Sequence, residues 1–255
     1  MVLASAAGVF VPGTYGKETT NWATQATSQD VANLLLAGPT LFVSAYFVHK
    51  KSLRAFLVWL GALLYVIYSY VIYAFFIHLG PWFLVYVAIL GMSFYSFLGS
   101  LMALEWNTLL PRFAEVRVRP ASVFLMITAS MFYFLAASET VKALLGHTVP
   151  QGLQDVGLVV NPIHVLDMAL FLPAMAIVSV KLWKRKPLGL ILAGPFLTLT
   201  GLMGSAIFSI MLFLSVKGFP APMVLKAALA ALVLIALWLT VTFLKEVKQA
   251  ERIAP

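Results

Sequence analysis

The chain of 255 residues contains no cysteine and very little charge. Without cysteine there is no disulfide framework, no thiolate metal site and no thiol nucleophile, and the redox compartment is unreadable. Only 10% of the residues are charged, against about 25% in soluble domains, while 62% are hydrophobic and the mean hydropathy is +0.98. A soluble domain of this length is excluded. The sequence also lacks any HExxH-like pair or other high-specificity catalytic or cofactor motif, so function has to be read from the depth at which ionisable groups fall.

What is present is apolar length. Crossing the hydrocarbon core of about 30 Å takes about 20 mostly apolar residues, and seven runs qualify. They extend from about Val31 to Val48, Ala55 to Ile77, Trp82 to Leu104, Ala121 to Leu145, Pro162 to Val180, Pro187 to Val216 and Pro222 to Leu244. The predicted fold class is all-α, a polytopic seven-transmembrane-helix bundle. It divides into an extracytoplasmic segment 1–30, one membrane domain 31–245 and a cytoplasmic tail 246–255.

The basic residues crowd onto alternate connections. Lys50, Lys51 and Arg54 follow the first run, and Arg112, Arg117 and Arg119 the third. Lys181, Lys184, Arg185 and Lys186 follow the fifth, and Lys245, Lys248 and Arg252 the seventh. The other connections hold only Lys17, Lys142 and Lys217, with Lys226 opening the seventh run. The positive-inside rule then places the N-terminus outside and the C-terminus in the cytoplasm of a cell-membrane protein. The net charge of +8 is thereby topological, a solvated basic rim against the bilayer, and points to no nucleic acid.

Local signals refine this picture. Met1 to Phe10 is apolar but too short to span and has no basic n-region, which predicts an interfacial or re-entrant segment. Thr27 with Asp30 fits a capping box ahead of the first span. Pro39, Pro173 and Pro195 fall inside spans, where each frees a carbonyl and marks a candidate cavity. LLLAGP (34–39) resembles LILAGP (190–195) on spans of opposite direction, the pattern of an inverted repeat, though chance similarity of leucine-rich sequence also produces it. Gly201, Ser205 and Ser209, facing Ala227, Ala228 and Ala231, form packing stripes. Tyr65, Tyr68, Tyr70, Tyr73, Tyr86 and Tyr95 are expected to point inward, to pair with one another or to line a pocket, because an unpaired hydroxyl at depth costs about 1–3 kcal/mol.

The remaining polar groups sort to the outer ends of the spans. Asp30 opens the first, His78 closes the second, Glu139 closes the fourth, Asn161, His164 and Asp167 open the fifth, and Lys226 opens the seventh. Ionisable residues in spans normally face the bundle interior or a wet cavity. A polar pocket opening outward accounts for all of them, lined at depth by Tyr70 and Tyr73. In NPIHVLDM (161–168), Asn161 and Pro162 are a helix-start signal. His164 and Asp167 lie on one face, so the carboxylate could orient the imidazole, or the two could share an ordinary buried hydrogen bond. Lys226 could pair with Glu139 or Asp167.

These residues suit a small polar or anionic ligand, or a proton, bound by a transporter or by an accessory subunit of a membrane complex. The rival reading is a membrane-embedded enzyme using His164, Asp167, His78 and Glu139, including a metal-dependent hydrolase if their helix ends converge. No cofactor is identified. A retinal protein fits poorly, because Lys226 lies near a helix start and the third span offers no acidic counter-ion at depth. At NWATQATSQD (21–30) and NPIHVLDM the chain resembles a family of prokaryotic multi-span membrane proteins with no assigned activity. That resemblance carries over no functional residues and implies a fuller N-terminal span than Met1 to Phe10 supplies.

Overall fold

A computed structural model describes residues 1–249, except the side chains of residues 106 and 107; Arg252 and the end of the tail lie outside the described residues. Helices dominate, no strand occurs among the described residues, and seven helices are long and apolar enough to cross a membrane. They are Thr20–His49, Leu53–Phe76, Phe83–Met102, Val118–Leu145, Pro162–Trp183, Pro187–Val216 and Met223–Glu246, here called the first to seventh spans. The second is the most deeply buried.

The first span starts well before Val31. Thr19 caps it by accepting from the Trp22 amide, and the polar stretch 21–30 is helical because its side chains find partners inside the bundle. Asp30 is therefore no capping residue. It lies within the helix, 1% exposed, and receives tyrosine hydroxyls. The fifth span starts as expected, with the Asn161 side chain accepting from the amides of Ile163 and His164.

Two of the three internal prolines loosen the helices that hold them. A five-residue π-turn, Asn33–Ala37, precedes Pro39, and another, Asp167–Phe171, precedes Pro173. The wider turn accommodates the missing N–H and the ring's clash with the preceding turn. Pro195, by contrast, sits in the unbroken helix Pro187–Val216, so Pro39 and Pro195 do not occupy equivalent geometry as an inverted pair would.

The second and sixth spans cross at the centre. Gly61 permits it, since a Cβ there would lie 2.6 Å from the Pro195 carbonyl and 2.6 Å from Thr198 Cβ. The first span packs on both, the third on the second, the seventh on the sixth, and the fifth between the fourth and the sixth. Gly201 and Gly204 lie against Ala236, Leu237 and Val233 of the seventh span, whereas Ser209 turns to Ser28 of the first at 2.9 Å.

The N-terminal helix, Val2–Phe10, packs on the bundle. It lies along the first span, with Gly8 on the Asp30 carboxylate and Val2 beside Gly38 at the π-turn. At the opposite end two basic residues bind the backbone. The Arg185 guanidinium donates to the carbonyls of Phe113, Ala114 and Val116, and Arg54 to those of Lys245 and Val247. Both thus satisfy backbone acceptors where the chain turns. Tyr95 departs from the inward pattern, being 72% exposed on the outer face of the third span.

Candidate functional site

The expected site residues separate into three groups and two isolated residues. Asp30 sits in the first. Its carboxylate accepts from Tyr73 at 3.0 Å and from Tyr15, and Tyr70, Tyr73 and Tyr86 stack around it with ring centroids 5.2–6.0 Å apart. A second polar strand runs beside it: Tyr65 donates to Asn33 Oδ1 at 2.9 Å, and Gln29 donates to Tyr65 at 2.7 Å and to Ser69 at 3.1 Å. Asn33 in turn donates to Ser5 of the N-terminal helix. The Tyr70 hydroxyl is buried and has no hydrogen-bond partner among the described residues. Burial, and after it the charge of Asp30, hold the Tyr15 phenol far above its usual range.

Asp167 forms the second group. It accepts from Tyr68 at 3.0 Å and lines a pocket of about 80 Å³ with Thr128, Thr200 and Met203. This corrects the expected pairing, in which Asp167 orients His164. The π-turn that begins at Asp167 rotates it toward the second span, while His164 faces the fourth. His164 and Glu139 make the third group, 3.6 Å apart, with Thr140 Oγ1 3.3 Å from the other ring nitrogen. With Asn161 they line a recess of about 470 Å³ at the end opposite the basic one.

His78 and Lys226 stand apart. His78, itself exposed, is held at 3.0 Å by the buried Glu18 carboxylate, which also accepts from the His78 amide, and Lys226 donates to Ser215 at 3.0 Å instead of pairing with Glu139 or Asp167. The short connection between the sixth and seventh spans brings Ser215 to Lys226, and the segment after Tyr15 carries Glu18 past the end of the second span. No group of three or more His, Asp or Glu residues able to hold a metal ion occurs among the described residues. The hydrolase alternative therefore finds no ligand set there.

No protein-family model, curated protein or solved structure matches this chain. The geometry alone must carry the reading.

Three cavities adjoin. The recess shares Trp22, Gln25 and Ile163 with a cleft of about 70 Å³, which reaches Gln29 and Ser69. That cleft shares Tyr68, Ile163, Met203 and Ile207 with the Asp167 pocket. On the basic side of the cleft the bundle closes, with Gly61 against Pro195 and Leu57 against Gly194. Tyr73 lines the cleft, whereas Tyr70 lies behind it. Tyr65 and Tyr68 are among the tyrosines expected to point inward, whereas Tyr15, Gln25, Gln29 and Ser69 are additions to the expected set. One signal could have found part of this set: Trp22, Gln25, Gln29 and Asn33 recur at helical spacing, the mark of one polar face on a span.

Proposed function

We propose that this protein is a multi-pass carrier of the cell membrane, N-terminus outside, that admits a small solute from the outer side, with Asp30 and Asp167 as proton-bearing groups. The observation that supports it is the run of adjoining cavities from the recess to Asp167, set against the close packing toward the basic end. In this orientation the recess faces outward, in keeping with the placement of Lys and Arg. Alternating access then amounts to opening the Gly61–Pro195 crossing while the recess closes.

Asp30 accepts from the hydroxyls of Tyr15 and Tyr73, and Asp167 from that of Tyr68. A carboxylate left charged at such depth costs at least about 2.5 kcal/mol, so a proton is the natural occupant of each. The recess lining includes Glu139 and His164 but no Lys or Arg among the described residues, which favours a neutral or cationic solute over an anion. Reconstitution into proteoliposomes tests the reading, with solute entry followed by light scattering for a panel of short amides, alcohols and polyols, and proton movement by an internal pH dye. A several-fold faster entry than in protein-free liposomes, lost in Asp167→Asn or Asp30→Asn, supports the carrier. Entry indistinguishable from empty liposomes across the panel overturns it.

A further inference from the structure

The first and fifth spans break in the same way and at matching places. Each holds a π-turn that opens on a polar side chain, Asn33 or Asp167, ahead of Pro39 or Pro173. Each continues as a 12-residue α-helix, Gly38–His49 or Leu172–Trp183. Each then turns on a basic residue with positive φ, Lys51 at 62° or Arg185 at 51°, and enters the next span after Ser52 or Lys186. Positive φ at a non-glycine residue occurs at Lys51, His147 and Arg185 among the described residues, and two of these fall at the matched position. The interval along the chain is identical for every one of these pairs, with no insertion between them.

The same interval pairs Gly61 with Pro195, and these two residues meet at the central crossing. Equivalent positions touch each other only on a symmetry axis. It also pairs Gln29 with Ile163, Ser69 with Met203 and Tyr73 with Ile207, and all six line the cleft. The third and seventh spans complete the correspondence, each packed on its preceding span, and the fourth span is the connection between units. The first and fifth spans both run toward the basic end, so the repeat is parallel, with its axis along the membrane normal. LLLAGP and LILAGP, which pair Pro39 with Pro195, do not follow this interval.

We infer that the chain is a duplicated three-helix unit and that the cleft on its axis is the seat of a small, neutral, amphipathic solute, a short aliphatic amide or alcohol. The argument is in the lining. One unit contributes Gln29 and Ser69, which offer hydrogen bonds; the other contributes Ile163, Met203 and Ile207 at the equivalent places, which offer only apolar contact. No Lys, Arg, Asp or Glu lines the cleft among the described residues, so a charged head has no partner there. The cleft and the adjoining Asp167 pocket, about 70 and 80 Å³, match in scale a cavity of about 150 Å³ that accommodates benzene. The inference deepens the carrier reading and rests on its outward opening.

The absence of native cysteine makes single-thiol labelling clean. Ser69→Cys and Met203→Cys, one from each unit, are compared with Leu63→Cys, which is buried on the second span outside the cleft. The reagent is a membrane-impermeant methanethiosulfonate applied from the outer side, with millimolar valeramide as the probe solute and acetate as its charged counterpart. Both cleft thiols are expected to react about tenfold faster than the control, a ratio equivalent to about 1.4 kcal/mol, and to be slowed several-fold by valeramide but not by acetate. Reaction no faster than Leu63→Cys, or no slowing by valeramide at either position, overturns the proposal. Should Ser69→Cys disturb folding through the lost Gln29 contact, Ile207→Cys replaces it on the opposite wall. Labelling with protection but without solute entry into proteoliposomes refutes the carrier and leaves the site standing. Solute entry without protection does the reverse.

Discussion

Gly61→Ala probes the central crossing with a single methyl group. The added Cβ would stand 2.6 Å from the Pro195 carbonyl oxygen, a backbone atom that cannot swing aside. Restoring an ordinary 3.4 Å contact requires the second and sixth spans to part by about 0.8 Å, and that separation weakens dispersion contacts along the whole crossing. Overpacking of this kind costs about 1–3 kcal/mol, and alanine's better helix propensity returns up to about 1 kcal/mol. The net expectation is a loss of about 1–2 kcal/mol. Gly91→Ala is the matched control, because nothing lies within 4 Å of its would-be Cβ; it gains the propensity and meets no clash. Thermal unfolding of both variants in one detergent, followed by intrinsic fluorescence, should separate them by roughly 5–10 °C at about 2–4 °C per kcal/mol for a chain of this size. A Gly61→Ala protein as stable as the Gly91→Ala control would refute the crossing and, with it, the axis on which the duplicated units are placed.

Other expectations follow from the hydrogen bonds. Asp30→Asn keeps one acceptor oxygen, which can serve Tyr15 while Tyr73 retains the Ala26 carbonyl at 3.1 Å, and should cost little in thermal stability, whereas Asp30→Leu strands the Tyr15 hydroxyl and should cost about 1–3 kcal/mol; equal losses in thermal melts would contradict this. Tyr68→Phe removes the donor to Asp167 and should lower stability by about 1–3 kcal/mol, an effect that vanishes in an Asp167→Leu background by double-mutant cycle. Glu139→Gln should change stability by less than about 1 kcal/mol, because the carboxylate is half exposed and its contact with His164 is long, so a large loss would mean the recess is tighter than drawn. For Tyr15, burial raises the folded phenol above its value of 10.0 in the unfolded chain, so the folded state holds a proton that the unfolded state releases. Stability should be level below about pH 10 and fall above it, with a shallower alkaline slope in Tyr15→Phe measured by melts across that range.

Hydropathy made the seven spans legible because a bilayer demands apolar length, and nothing else in the sequence imitates it. The fifth span's start was legible at Asn161 and Pro162 for an equally local reason, the geometry of a cap. The first span's true start was hidden by its own polarity. Gln29, Asp30 and Asn33 look like a loop to any hydropathy window, and tertiary partners on the second span and the N-terminal helix hold them in the bundle, Asp30 and Asn33 fully buried. Sequence order places His78, Glu139, His164 and Lys226 at one end of the bundle, opposite Arg54 and Arg185, yet a shared level says nothing of azimuth. Four such residues can share a level and still face different neighbours, as His78 with Glu18 and Lys226 with Ser215 do. The separation of His164 from Asp167 depends on a π-turn that begins at Asp167 itself. Three residues along an α-helix share a face, and one widened turn is enough to part them.

A single thiol at Gln29, with the protein inserted in one orientation into sealed liposomes and an impermeant reagent confined to one side, tests the solute path most directly. Gln29→Cys should react from the side of the Glu139 and His164 recess and stay inert from the side of Arg54 and Arg185. Reaction from the arginine side, or from neither, would contradict a cleft that opens through the recess and is sealed at the Gly61–Pro195 crossing.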